Sequence, residues 1–310
     1  MKIKLNDTLK GYLFAFIAIL AVSNVYIFSK AALNLVTLAQ FGTYWFALGF
    51  IWNLIFAFQR KKISALFTFK KRQFILLFIL GILEIAGTSL FFLAIHTVAN
   101  PAIVSFIGNL NPVFVLILGF VFLGERFNKF ELSGVALVLF GAFTISYQGN
   151  TEIKNMFIEG TFYMMFSGFL YSISTIIAKK NVQILGPSIM ALSRTLHLLI
   201  FSILALILSG QSLGIPNKAL WNIIIGSLLG PFLTSIAGYQ ALKYIEASRT
   251  SVLGSTKAIF VLIGAFIYFG IFPQTHQIWG GLISVLGILF ISFGKLKFGE
   301  RKKAPIGIEA

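Results

Sequence analysis

The chain has 310 residues, 58% of them hydrophobic and only 11% charged, with a mean hydropathy of +0.92. A water-soluble domain carries about a quarter charged residues to wet its surface, so a soluble globular protein is excluded and most of the outer surface must face an apolar medium. With no cysteine in the sequence, disulfides, thiol nucleophiles and thiolate metal sites are excluded as well.

The first apolar stretch, residues 11–28, follows Lys2, Lys4 and Lys10 and imitates a secretory signal peptide. It runs into Ser29-Lys30 without a small-x-small cleavage site and is read as a retained first helix. Nine more apolar runs follow, at residues 41–58, 74–95, 102–123, 132–148, 160–178, 188–208, 220–242, 251–270 and 277–294. A helix crossing hydrocarbon needs roughly 20 apolar residues. These runs are continuous, not alternating, which selects helices over the strands of a barrel. The expected fold is all-α integral membrane, with ten transmembrane helices that fill the chain and leave no room for a separate catalytic domain.

A net charge of +16 invites a nucleic-acid reading. Topology explains it better. With the N-terminus placed in the cytoplasm, 20 of the 25 Lys and Arg fall in cytoplasmic segments, six of them between the second and third spans at Arg60, Lys61, Lys62, Lys70, Lys71 and Arg72. Only Lys30, Lys154 and Lys218 fall opposite, while Arg194 and Lys257 lie inside helices. Such an imbalance over short loops orients membrane proteins. It predicts a multi-pass protein of the bacterial inner membrane with both termini cytoplasmic, a basic tail at 297–310 near anionic lipid heads, and no nucleic-acid partner.

The two halves repeat. Leu93-Ala94 to Ala99-Asn100, Leu110-Asn111-Pro112 and Gly134 to Gly141 recur as Ala241-Leu242 to Ala247-Ser248, Thr256-Lys257-Ala258 and Gly280 to Gly287. The offset is about 148 early and 146 late, which predicts five-helix repeats at 1–148 and 149–296. An odd number of spans turns the second repeat upside down. Inverted repeats recur in secondary transporters, whose halves exchange conformations about a midplane site.

The order Ala94-Ile95-His96-Thr97-Val98-Ala99, Leu110-Asn111-Pro112, Leu123-Gly124-Glu125 and Gly134 resembles the drug/metabolite transporter superfamily, in its EamA-like branch. So does Pro187 followed seven residues later by Arg194, and a polar first helix with Ser23 and Asn24 that ends in Lys30. The resemblance implies a secondary transporter working by alternating access, with a cleft lined by the first, third, fourth, sixth, eighth and ninth spans. It does not name the cargo, since the family covers amino acids, polyamines, drugs, sugar phosphates and nucleotide sugars. The chain departs from the pattern at Thr256-Lys257-Ala258, at Gly270-Ile271-Phe272-Pro273 and at Trp45, near the position of Arg194 in the first repeat.

Ionisable groups inside a bilayer are costly and usually face a cavity or a partner. Lys257, two turns into the ninth span, is a candidate to hold a carboxylate or phosphate; snorkelling to the interface is the structural alternative. Glu84 is too short to snorkel from mid-span. Burial disfavours its charged form, which makes it a candidate proton carrier, a partner for a substrate ammonium, or a structural partner for Lys257. Arg194 and His197 share a helix face at spacing three, and His96 at the outer end of the third span is a gate candidate. Asn109 and Asn111 precede Pro112, which is expected to kink the fourth span and free carbonyls beside two amides.

Asn24 and Tyr26, with Ser23, occupy places in the first span matched by Tyr171, Ser172, Ser174 and Thr175 in the sixth, which predicts a shared polar path. Tyr239 and Gln240 are further entries to it. Glu125 with Arg126 reads as an ion pair or cap. The 35 phenylalanines fit a lipid-facing belt and name no aromatic cargo. No Walker loop, zinc-protease motif or dinucleotide fingerprint occurs, so no enzyme activity, metal or cofactor is expected and energy must come from a cargo or ion gradient. The expected partners are a small-molecule substrate, the lipid bilayer, and a proton or counter-substrate for coupling. The favoured activity is efflux of an amino acid or related metabolite; the alternative is an exchanger of phosphorylated or other anionic metabolites.

Overall fold

Hydrocarbon offers a backbone no hydrogen-bond partner, so each apolar run closes its own bonds as a helix. The computed structural model describes residues 6–123, 128–149 and 157–298, without the side chains of 123 and 292–298. Its helices are α1 (Asp7–Leu33), α2 (Leu38–Gln59), α3 (Lys71–Thr97), α4 (Pro101–Ile107), α5 (Leu110–Leu123), α6 (Lys129–Ser146), α7 (Thr161–Leu185), α8 (Pro187–Leu208), α9 (Asn217–Ser227), α10 (Ser235–Tyr244), α11 (Ala247–Gly254), α12 (Lys257–Phe269) and α13 (Thr275–Phe298). Among the described residues nine stretches are long and apolar enough to cross a membrane, and Thr275–Ile291 is a shorter apolar helix that makes the tenth span. The fourth span combines α4 and α5, the eighth α9 and α10, and the ninth α11 and α12.

Polar side chains mark where spans begin. Thr37 and Gln40 form a reciprocal capping box on α2, and Asn128 and Glu131 do the same on α6. Asn100 accepts from Ala102 N (2.9 Å) ahead of Pro101 at the first position of α4. In the eighth span, Pro231 cannot donate to the helical ladder. A π-helical turn, Leu228–Thr234, absorbs it, and the buried Asn53 amide donates to Pro231 O and Gly49 O, both at 2.8 Å.

Glycine contacts give the relative direction of the spans. A Cβ on Gly134 would lie 2.5 Å from Gly287 O, and one on Gly141 would lie 2.5 Å from Gly280 O. Numbers rise on α6 as they fall on α13, so these helices run antiparallel with their backbones touching. The second span meets the seventh the same way, Gly42 against Ser202 and Gly49 against Thr195. The third span packs on the sixth and the eighth on the first; α4 meets α12 and α5 meets α11. Exchanging each span for the one five later leaves this list of neighbours unchanged. The expected fold of two inverted five-helix repeats is what the packing shows.

The predicted kink needs correction. The fourth span is interrupted between Ile107 and Leu110, and Pro112 sits in the first turn of α5, where its missing N–H costs nothing. The ninth span, without a proline, breaks at the equivalent place between Gly254 and Lys257. Both breaks fall at a glycine, Gly108 and Gly254, the residue least favourable to a continuing helix after proline.

Candidate functional site

Glu84 faces the bundle interior from mid-α3 and is 6% exposed. Its Oε2 accepts from Arg194 Nε at 2.6 Å and its Oε1 from Ser174 Oγ at 2.8 Å. The remaining guanidinium nitrogens donate to Ser235 Oγ (3.2 Å) and Thr88 Oγ1 (3.3 Å), and Thr88 Oγ1 lies 2.8 Å from Tyr171 OH. Four spans therefore converge, the third, sixth, seventh and eighth, with buried Tyr239 within electrostatic reach of the pair. Removing ions from water costs several kcal/mol each, and the cost is recovered only when geometry is good and the remaining donors and acceptors are satisfied. Here each carboxylate oxygen and each guanidinium nitrogen has a partner. The assembly is neutral overall.

The sixth span carries this cluster to the broken fourth. Asn111 Nδ2 donates to Gly168 O (2.9 Å) and Ser172 Oγ (3.2 Å), and Asn111 Oδ1 accepts from Ser251 Oγ (2.9 Å) on the ninth span. Asn109, in the break itself, is fully buried, and neither atom of its amide has a hydrogen-bond partner among the described residues. Tyr26 is buried beside that break. Its hydroxyl would lie 3.4 Å from a Cβ on Gly108, and its ring meets Phe91 edge to face at 5.0 Å.

The inverted symmetry reaches the hydrogen bonds. Ser23 Oγ approaches Lys257 O at 3.4 Å, and Ser172 Oγ approaches Asn111 O at 3.4 Å, so the same contact recurs between equivalent spans. Charge does not recur. Where the second repeat has Arg194, the first has Trp45, packed with Phe41 (4.8 Å) and Phe92 (5.8 Å) in an aromatic cluster. A cleft of about 470 Å³ opens between the first, second, seventh and eighth spans, lined by Phe14, Phe56, Arg60, Ser188 and Gln240 among others.

Several residues singled out from the sequence are not in the cluster. Glu84 pairs with Arg194 and not with Lys257, because the third and seventh spans are neighbours. Lys257 Nζ reaches only Gly254 O (3.4 Å), and among the described residues no carboxylate lies within 4.0 Å of it. His197 turns away from Arg194. Its Nδ1 lies 2.8 Å from Ser193 O, and its ring packs on Gly81 and Phe78. Asn24 is exposed and bonds back to Leu20 O (2.9 Å). His96 is exposed, and its carbonyl, not its ring, makes the cross-span contact. Glu125 and Arg126 lie outside the described residues. Thr88 and Ser235 were not picked out from the sequence. Thr88 could have been, because it stands four residues after Glu84 on the same helical face.

Two inverted five-span repeats enclosing a buried polar cluster are the architecture of a membrane transport protein. The chain matches the EamA-like transporter family model over residues 9–147 and 158–293, and it belongs to that family. It is 27% identical over 224 residues to the uncharacterized transporter YyaM of Bacillus subtilis, covering 69% of this chain and 72% of that protein. It is 24% identical over 215 residues to the uncharacterized transporter sll1164 of Synechocystis, covering 66% of this chain and 61% of that one, under two thirds of its length. A solved structure described as "Crystal structure of protein" aligns with a TM-score of 0.71 at 15% identity, covering 93% of this chain and 98% of that chain, and shares the fold.

Proposed function

We propose that this transporter carries a zwitterionic metabolite of the amino-acid type out of the cell by alternating access, its repeats 1–148 and 149–296 rocking about the Glu84–Arg194 cluster. The observation that carries the reading is the neutral ion pair itself, Arg194 Nε to Glu84 Oε2 at 2.6 Å, held between the third and seventh spans. A cargo bearing both an ammonium and a carboxylate can take the place of each partner in turn, ammonium on Glu84 and carboxylate on Arg194, so that no charge is left unpaired as it enters. Ser174, Thr88, Tyr171 and Ser235 supply neutral donors and acceptors around it. The unpartnered Asn109 amide at the broken fourth span offers the cargo a further polar contact.

The alternative reading, exchange of phosphorylated anions, drew on Arg194 and Lys257. Arg194 is already neutralised by Glu84, and an anion would bring an uncompensated charge into low dielectric. Lys257 alone is left to support it. The membrane is taken to be the bacterial inner membrane with both termini cytoplasmic, as the loop charges favour, and Glu84 is the group proposed to couple cargo to protons.

Counterflow in proteoliposomes tests this. Saturable exchange is expected to be competed by neutral amino acids, and not by their methyl esters or N-acetyl derivatives, each of which lacks one charge. Competition by sugar phosphates, with amino acids inert, would replace the reading with its alternative. Lys257→Ala is expected to leave zwitterion flux close to that of the parent, because the lysine's hydrogen bond goes to Gly254 O and not to the Glu84–Arg194 cluster; it would abolish flux of an anionic cargo. Glu84→Gln is expected to remove the pH dependence of whatever exchange survives, and retained dependence would place the proton elsewhere.

A further inference from the structure

We infer that the cleft between the first, second, seventh and eighth spans holds an anionic phospholipid, its phosphate at the start of α8 and an acyl chain along the apolar wall. The cleft, at about 470 Å³, has the size of a small-molecule site. The antiparallel contacts of α2 with α8, Gly42 on Ser202 and Gly49 on Thr195, continue two turns further to bring Phe56 level with Ser188. Arg60 stands one turn beyond Phe56, and its guanidinium lies over that ring, 5.5 Å from the centroid. Lys62 shares the rim. Phe14 and Ile17 of early α1 line the same cleft, so it opens at the face that bears the chain's beginning.

The rim suits an anion. α8 begins at Pro187 behind Gly186, which brings no side chain to cap it. The first N–H groups of the helix have no helical acceptor and form the positive end of its dipole, where phosphate groups bind readily. Ser188 lines the cleft in this first turn and is 8% exposed, and its hydroxyl has no hydrogen-bond partner among the described residues. A buried hydroxyl without a partner is costly, and a phosphate oxygen supplies the acceptor. Among the described residues no carboxylate lies within 4.0 Å of Arg60 or Lys62. A guanidinium can bind phosphate through two parallel N–H bonds.

The wall selects the source of that phosphate. Phe56 and Phe232 meet edge to face at 5.7 Å, and Leu233, Ile236 and Ala237 extend the apolar surface along the eighth span. Ile17 is 40% exposed on the outer side of α1, so the cleft communicates with the bilayer. A soluble phosphate compound leaves this wall wet, whereas an acyl chain covers it. Basic pockets between spans are a recurring place for anionic lipid heads. The eighth span gives Ile236 to the cleft and Ser235 to the Arg194 bond, so a lipid seated here buttresses one wall of the charged cluster.

The test titrates the full chain in detergent with phosphatidylglycerol, phosphatidylcholine and glycerol phosphate. Affinity is read from the thermal midpoint, and retained lipid is counted by native mass spectrometry. Phosphatidylglycerol is expected to bind about 30-fold more tightly than phosphatidylcholine, the weight of two basic groups beside a net negative head, and glycerol phosphate to leave the midpoint unmoved. Arg60→Gln with Lys62→Gln, both exposed positions, is expected to erase the preference. Arg72→Gln with Lys129→Gln removes the same charge outside the cleft and is expected to keep it. Leu233→Trp, which fills the apolar wall and spares the rim, is expected to lower the count of retained phosphatidylglycerol by one; should it fail to fold, the two charge variants decide alone. Equal binding of the two lipids by the parent, equal loss in both charge variants, or glycerol phosphate binding as tightly as phosphatidylglycerol would overturn the lipid site. So would a folded Leu233→Trp that retains the full count.

Discussion

Arg194→Met is expected to destabilise the detergent-solubilised protein by about 3–5 kcal/mol, the cost of leaving one partner of a buried ion pair without the other. Glu84 would keep only the Ser174 hydroxyl as a donor, and the hydroxyls of Ser235 and Thr88 would each lose the guanidinium they accept from. The fall in thermal midpoint measures this directly. The double variant Glu84→Gln with Arg194→Met should recover most of the loss, because replacing a whole buried pair with neutral groups is often neutral or stabilising. Transport should not recover with it. That split separates the two roles the pair could play. A double variant that folds and still transports would make the pair structural and move the binding site elsewhere. One that stays as unstable as Arg194→Met would show that the lost stability did not come from an orphaned carboxylate.

Gly141→Leu is expected to prevent accumulation of folded protein. The first added atom would meet Gly280 O at 2.5 Å, along with Ser284 Oγ and, at 2.8 Å, Ser284 N. Two of these are backbone atoms and cannot rotate aside. Overpacking by even a methylene or two costs about 1–3 kcal/mol, and leucine adds four carbons. Gly287→Leu should behave alike, since its Cβ would meet Gly134 O at 2.6 Å and Val138 N at 2.8 Å. Gly238→Ala in α10 is the control. Nothing lies within 4 Å of its Cβ, and removing a helical glycine contributes about 0.5–1 kcal/mol of stability. Detergent-extracted yield and monodispersity of the three variants give the answer. Gly141→Leu recovered at parental levels would mean that α6 and α13 are not pressed together backbone to backbone, and the antiparallel registration of the two repeats would lose its firmest support.

These expectations draw on different depths of information. The medium, the helical class, the number of spans and the existence of a repeat were all legible in the residue order, because hydropathy accumulates along the chain and twenty apolar residues in a row have one stable way to cross lipid. The identity of Glu84, Arg194, Asn109 and Asn111 as unusual residues was legible for the same reason. Each is a polar group in a stretch that should hold none.

Which of these residues meet was decided by the tertiary structure. Glu84 and Arg194 are 110 positions apart, and their contact exists only because the third span lies against the seventh. Helical periodicity says which residues share a face but not which neighbour that face receives. Arg194 and His197, three apart and about 60° from one another around the axis, diverge to different surroundings, one to a carboxylate and the other to Gly81 and Phe78. Asn24, polar like its neighbours Ser23 and Tyr26, turns outward. The break in the fourth span was expected at Pro112 and falls instead at Gly108, matched at Gly254 where no proline is near, so packing between the repeats and not the proline ring sets it. Composition along one dimension determined that this chain lives in a membrane and folds as a doubled bundle; the pairing of spans, which depends on contacts between residues far apart in sequence, determined where its charge is stored.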